Sequence, residues 1–294
     1  MRGIGAAAFV IALGGLSAAA AEPIVVRDGF ERTVTLPAPP QRIVTIFSSN
    51  VEIVASLGLA DRIVGIEAYT RYPPEVLNKP QVGGRLGFSV DKVVEQRPDL
   101  VVVTPARQAA HQLVDPMERI GVPVMVLLQR DVNEVLSNIR LVGRAAGVPE
   151  RGEAVTSQLQ ARIDAVTRRV DGVERPRVIM ITGRLGNGLL LITRPKTYTG
   201  DAIVLAGGRF GLESALAQVS PEAILNADPD ILLFAGNQRD LDELIARPGW
   251  RNMRAVKGKR AFAVSRAELL IPGPRTIDGI EHLAAIFHPE KASR

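Results

Sequence analysis

The sequence predicts an α/β protein of two lobes, each with a central, mostly parallel sheet, bridged by a single long α-helix with a cleft between the lobes. Three observations predict this. In residues 150–171, Val155, Leu159, Ile163, Val166 and Val170 recur at steps of four, four, three and four, the apolar stripe of an amphipathic helix. Pro149 opens that helix, and Asp171-Gly172 followed by Pro176 stops it. Twenty-odd residues at ~1.5 Å rise span roughly 30 Å, about the width of a small domain. The second observation is a repeat on either side of it. Ser89 aligns with Ser220, Asp91 with Glu222 and Pro98-Asp99 with Pro229-Asp230, all at an offset of 131 residues. Each copy reads as a Ser-capped short helix with an acid in its first turn, then a Pro-Asp turn and an apolar strand. A glycine pair stands upstream of each copy, Gly83-Gly84 and Gly207-Gly208, at an offset of 124. The third is that strands alternate with helices throughout, which implies parallel sheets with functional residues at the carboxyl ends of strands. An ordinary crossover helix within one domain, and chance use of common α/β vocabulary, are the alternatives.

In chain order, residues 1–21 read as an export segment. Arg2 supplies the positive start, Ile4 to Leu16 the apolar stretch, and Ala19-Ala20-Ala21 a small-residue cleavage site before Glu22-Pro23. The stretch is too short and too rich in Gly and Ala to favour staying in a membrane. The expected division is therefore 1–21 signal peptide, 22–148 N-terminal lobe, 149–171 bridging helix and 172–294 C-terminal lobe. Residues 24–36 alternate around Asp28-Gly29, a β-hairpin signal. Residues 42–47 are the first core strand, and Ser48-Ser49-Asn50 are expected to cap a helix from Val51 to Leu57 that Gly58 stops. Such a junction aims free N–H groups above the strand end, where an anion or carbonyl can be held. Residues 62–66 form the next strand, before a loop holding Glu67, Tyr69, Thr70, Arg71 and Tyr72.

Arg85 and Phe88 stand in the glycine loop of the first repeat, whose strand ends at Thr104. Pro105-Ala106-Arg107 leads into a helix to Ile120, then a strand 122–128 and a helix 131–146 with Val132, Val135, Ile139 and Val142 on one face. After the bridge, a strand 177–182 meets Gly183-Arg184-Leu185-Gly186-Asn187-Gly188. That turn lacks the Gly-Lys-Ser/Thr of a phosphate loop, and the strand-like Leu189 to Ile192 makes a hairpin the better reading. Thr197 to Asp201 opens a helix to Leu205; Tyr198 lies in that opening. The second repeat ends in strand 231–234, followed by the Ala235-Gly236-Asn237 loop and a helix 241–246. Trp250 and Met253 are expected to pack, residues 260–264 to form the last core strand, and 275–287 a closing amphipathic helix.

Composition narrows the function. The chain of 294 residues has a formal charge of +5, no cysteine and 4% aromatic residues. Arginines are scattered and not interleaved with aromatics, which argues against a nucleic-acid partner. The absence of cysteine removes disulfides, a lipid-bearing residue at the cleavage site and thiol nucleophiles. No H-E-x-x-H or G-x-S-x-G occurs, and His111, His282 and His288 are dispersed, so neither a catalytic triad nor a zinc cluster is expected.

The order RIVTIFSSNVEIVASLGLADRIVGI, RYPPEV, VGG with SVDKVVEQRPDLVVV, the long helix, then GDAIVLAGG and QVSPEAILNADPDILLF, resembles the periplasmic iron-siderophore and cobalamin binding proteins of ABC importers, over essentially the whole chain beyond residue 21. The resemblance implies a soluble periplasmic monomer that binds its ligand between two lobes with little closure, carries no cofactor and is not an enzyme. It implies as partner an inner-membrane ABC permease dimer, onto whose arginines Asp91 and Glu222 would dock; helix-dipole compensation would also place acids there. Residues expected to face the ligand are Phe47, Ser48, Ser49, Asn50, Tyr69, Tyr72, Arg85, Phe88, Thr104, Arg107, Arg184, Tyr198 and Asn237. Haem binders of this kind carry a Tyr after the Val-Gly where this chain has Gly84, and cobalamin binders line the cleft with aromatics. Arg85, Arg107 and Arg184 suit carboxylate, catecholate or oxyanion groups, so an anionic ferric chelate is the expected cargo. Cobalamin and an oxyanion such as molybdate are the alternatives.

Overall fold

Apolar runs flanked by turn residues become the strands of two six-stranded sheets. The computed structural model describes residues 22–84, 87–104 and 110–292; the export segment, Arg85 and Arg107 lie outside them. The predicted hairpin forms from β1 (Ile24–Arg27) and β2 (Thr33–Leu36), with Ile24 opposite Leu36. Its turn is closed by the buried Asp28 carboxylate, which accepts from the Phe30 and Arg32 amides at 2.9 and 3.1 Å and from Val126 N at 3.2 Å.

The first sheet takes β3 (Ile43–Ile46), β4 (Ile63–Glu67), β5 (Gln81–Gly84), β6 (Gly87–Phe88), β7 (Leu100–Val103) and β8 (Val124–Val126) in the order β6-β5-β4-β3-β7-β8. All neighbours are parallel except the β5–β6 hairpin. β3 and β7 are buried along their whole length, as strands covered on both faces by helices must be. Those helices are α1 (Ser48–Ser56), α2 (Val90–Glu95), α3 (Ala110–Arg119) and α4 (Val132–Ala145). Asp131 caps α4, accepting from Glu134 N at 2.8 Å.

The bridging helix is α5 (Pro149–Arg169). It lies against α4 through two glycines: a Cβ on Gly143 would meet the Gly152 Cα at 3.0 Å, so the backbones approach as closely as they can. Its stripe of Leu159, Ile163, Val166 and Val170 is buried in one apolar core that runs from α1 and α4 of the first lobe into the second lobe.

The second lobe contributes β9 (Arg177–Arg184), β10 (Leu190–Ile192), α6 (Tyr198–Leu205), β11 (Arg209–Phe210), β12 (Gln218–Val219), α7 (Pro221–Ala227), β13 (Ile231–Ala235), α8 (Gln238–Ile245), α9 (Arg254–Lys257), β14 (Ala261–Val264), α10 (Arg266–Leu269), α11 (Thr276–Phe287) and α12 (Pro289–Ala292). The sheet order is β12-β10-β9-β13-β14, with β11 also pairing with β9. β9 and β10 form the expected antiparallel hairpin, with a register shift at Leu191/Ile192. Trp250 and Met253 are buried in a separate core on the outer face of this sheet.

The repeat has a structural basis. Ser89 Oγ accepts from Lys92 N at 3.4 Å, and Ser220 Oγ from Ala223 N at 3.3 Å. Asp99 accepts from the Arg42 amide at 2.8 Å, and Asp230 from the Arg177 amide at 2.8 Å, so each Pro-Asp turn anchors the strand beside it. The residue before each Pro-Asp turn is left-handed, Arg97 at φ 46° and Asp228 at φ 39°. The glycine pairs, in contrast, do different jobs. Gly83-Gly84 lies within β5, whereas Gly207, at φ +84°, ends α6 where a Cβ would strike His288 and Val170.

Candidate functional site

In a parallel sheet the loops after the strand carboxyl ends converge on one edge, and both lobes present polar and aromatic groups there. On the first lobe, β3 ends at Phe47, whose backbone stands at φ 82°, ψ 135° with its ring 43% exposed. Such a conformation costs a non-glycine residue about 1–3 kcal/mol. This turn starts α1 at Ser48, three residues earlier than expected. Ser48, Ser49 and Asn50 are therefore first-turn residues and not caps, because Phe47 itself has already redirected the chain.

Ser49 and Asn50 are buried and face inward. Asn50 Nδ2 donates to Ile46 O at 2.6 Å, and its Oδ1 accepts from Thr104 Oγ1 at 3.1 Å and Gln129 Nε2 at 3.2 Å. Ser49 Oγ donates to Gln129 Oε1 at 2.9 Å. Three of the predicted contacts are thus joined in one buried network with Gln129, a residue the sequence reading left out because it lies ~80 positions away with no motif around it. At the end of β4 burial pushes the Glu67 pKa up, with the nearby Phe47 amide opposing it. The Tyr69 and Tyr72 rings are exposed on the loop that follows, which Arg71 tightens by donating to Ala68 O at 2.8 Å and Thr70 O at 2.9 Å. Phe88 is half-buried against the core on the far face of the sheet.

The second lobe answers with a cavity of about 710 Å³ at the carboxyl ends of β9, β13 and β14. Arg184 stacks on Phe234, its guanidinium carbon 5.1 Å from the ring centre, and donates to Asp240 O. Arg266 donates to Thr182 O at 3.1 Å and Ala235 O at 3.2 Å. Among the described residues neither arginine forms an ion pair, so two positive charges border a cavity that Asp240 also lines. Phe234 and Arg266 were absent from the predicted set, yet both stand at ends of predicted strands, where the carboxyl-end rule would have found them. Asn237 lines the cavity but its side chain caps α8, accepting from Asp240 N at 2.8 Å and donating to Asp240 Oδ2 at 3.0 Å. Tyr198 is half-buried on the shared core; burial pushes its phenol up to about 12, with the Arg266 charge opposing.

Asp91 and Glu222 are exposed in the first turns of α2 and α7. The Ser220 hydroxyl holds Glu222 below the ordinary glutamate range. A further cavity of about 490 Å³ opens at the opposite, amino-terminal ends of the second sheet, where Arg254 is paired with Asp230 and Arg260 donates to Phe287 O. Arg254 there is already ion-paired, which neither arginine of the carboxyl-end cavity is among the described residues.

Comparisons with known proteins agree with this layout. A family profile described as periplasmic binding protein matches residues 43–266. An uncharacterized ABC transporter substrate-binding lipoprotein, YvrC of Bacillus subtilis, is 24% identical over 91% of this chain and 86% of its own length. A cobalamin-binding protein of Halobacterium salinarum is 27% identical over 90% of this chain and 74% of its own. Among solved structures, the periplasmic heme-binding protein RhuT from Roseiflexus sp. RS-1 superposes with a TM-score of 0.74 at 25% identity, covering 85% of this chain and 99% of that one. An ABC-type Fe3+-hydroxamate transport system from Saccharomonospora viridis gives 0.72 at 21% identity, covering 90% and 99%. The match over residues 43–266 spans both sheets and the helix between them, and the chain belongs to the periplasmic binding protein family.

Proposed function

We propose that this chain is the substrate-binding component of an ABC importer, and that its cargo is an anionic ferric chelate of the siderophore class. The observation that carries the choice of cargo is the pair Arg184 and Arg266, two cations in no ion pair among the described residues, which outnumber the single lining acid Asp240 at a cavity of about 710 Å³ at the carboxyl ends of three strands. A guanidinium binds carboxylate or catecholate oxygens through paired donors, and a site partly screened from water strengthens that attraction. The protein works by capture and release, as a monomer in the periplasm after cleavage behind Ala21, and hands the chelate to a permease dimer that engages Asp91 and Glu222. Cobalamin and molybdate are competing cargoes, and haem a further one.

A thermal-shift and titration panel on residues 22–294 tests this, with ferric catecholate, hydroxamate and citrate complexes, cyanocobalamin, haemin, molybdate and zinc. A ligand at ~100 times its dissociation constant adds ~2.7 kcal/mol, which raises Tm by roughly 5–10 °C for a chain of this size. The expected result is a shift with a ferric chelate that Arg184→Glu together with Arg266→Glu abolishes. A shift with cyanocobalamin, haemin or molybdate alone would replace the cargo and keep the importer.

A further inference from the structure

We infer that Phe47 is the specificity-determining residue of the cleft: its ring is held out as a stacking platform for an aryl group of the ligand, which makes the cargo a catecholate-type chelate. This rests on the ferric-chelate reading above. Six non-glycine residues among those described have positive φ: Glu31, Phe47, Arg97, Lys196, Asp228 and Lys259. Five are charged residues; the sixth is a phenylalanine at the carboxyl end of a central strand. A glycine would make the same turn without strain, so the fold alone gives no reason for an aromatic ring there.

The strain is held from the core side. Toward the core, Phe47 O accepts from Asn50 N at 3.1 Å, Ile46 O from Asn50 Nδ2 at 2.6 Å, and Asn50 is fixed in turn by Thr104 and Gln129. With the Ile46 and Phe47 carbonyls both pinned by Asn50, the ring is directed out of the sheet edge, where it is 43% exposed while Ile46 beside it is 4% exposed. It joins none of the three apolar cores.

The surroundings indicate what the ring meets. Tyr69 and Tyr72 are exposed on the next loop, so the first lobe carries three accessible rings on loops that follow adjacent strands. Tyr72 has Arg275 4.3 Å from its centre, which already occupies one of its faces. Phe47 has no polar group, and so favours a flat, electron-rich face over the peptide-like edge of a hydroxamate or the hydroxyls of citrate. An aromatic platform on one lobe and guanidinium groups without ion pairs among the described residues on the other complement a ligand that is aryl and anionic at once, as ferric catecholates are.

The test uses the exported chain, residues 22–294, with Phe47→Gly, Phe47→Leu and Phe47→Trp, titrated with ferric 2,3-dihydroxybenzoate, ferric acetohydroxamate, ferric citrate and cyanocobalamin. Phe47→Gly is expected to melt roughly 2–4 °C above wild type, because strain is relieved, while binding ferric 2,3-dihydroxybenzoate about tenfold more weakly. Phe47→Leu keeps the strain and the bulk without the π face and should lose the same affinity; Phe47→Trp should recover it. Equal affinity for ferric 2,3-dihydroxybenzoate in wild type and both Phe47→Gly and Phe47→Leu overturns the assignment, as does a parallel loss of every probe together with stability. Binding of the hydroxamate or citrate complex but not the dihydroxybenzoate complex overturns the aryl class and leaves the ferric-chelate reading intact. Binding of cyanocobalamin alone, or of none of the four, removes both.

Discussion

Glu52 of α1 and Arg275 at the start of α11 meet through two hydrogen bonds of 2.6 and 3.0 Å, joining helices of the two lobes across 223 residues of chain. The Glu52 side chain is only 2% exposed, and burial raises its pKa even with the Arg275 guanidinium opposing. Removing Arg275 leaves that carboxylate buried and alone, so Arg275→Ala is expected to cost about 3 kcal/mol near neutral pH. The sign of the pH effect follows from the raised pKa. The folded state holds the Glu52 proton more tightly than the unfolded chain does. Stability from this group is therefore present at acid pH and declines as pH rises through its folded pKa. The Arg275→Ala deficit should shrink as pH is lowered from neutral and Glu52 takes up its proton. Thermal melts from acid to neutral pH measure it; an unchanged Tm at neutral pH would refute the clasp. Arg162 makes a comparable fork to Asp278 and Glu281, but all three side chains are about one-third exposed, so Arg162→Ala should cost only about 1 kcal/mol and less in high salt.

A second contact crosses the lobes on α6. Asp201 Oδ2 accepts the Val132 amide of α4 at 3.1 Å, and burial raises the Asp201 pKa while that bond opposes it. Asp201→Ala leaves a helix amide without its acceptor and should destabilise by about 1 kcal/mol. Asp201→Asn keeps an acceptor and sheds the buried charge, so its melting temperature should stay within a degree or two of wild type. Equal losses for both would show that charge, and not the hydrogen bond, matters.

Asp91 and Glu222 occupy matching first turns of the two repeats, both exposed and neither engaged in an ion pair among the described residues. Asp91→Lys with Glu222→Lys should leave ligand affinity in solution unchanged and abolish uptake in cells, because permease arginines would meet like charges. Normal uptake by the double variant would sink the docking role.

The parts of this fold that can be read without coordinates are those whose physics is local. The stops of α5, the Ser caps at Ser89 and Ser220, the Pro-Asp turns and the Asp28-Gly29 hairpin each depend on a few adjacent residues, and each is present. The apolar stripe of α5 is similarly a property of its own period. Ser48-Ser49-Asn50 shows where that reasoning stops. The same three letters serve a cap or a buried first turn, and the choice was made by the backbone of Phe47 and by Gln129, some 80 residues further on.

What the sequence by itself determined, then, is the alternation of strand and helix, the two-fold repeat and the bridging helix, since propensity, periodicity and capping act within a turn or two of chain. What only the tertiary structure decided is which polar groups meet. Glu52 finds Arg275, Asp201 finds α4, Arg184 and Arg266 come to border one cavity, and the two glycine pairs that look alike in sequence serve a strand and a helix end. Those pairings depend on where parallel strands place their carboxyl ends and on how closely α5 lets the two lobes approach. No stretch of neighbouring residues encodes either distance.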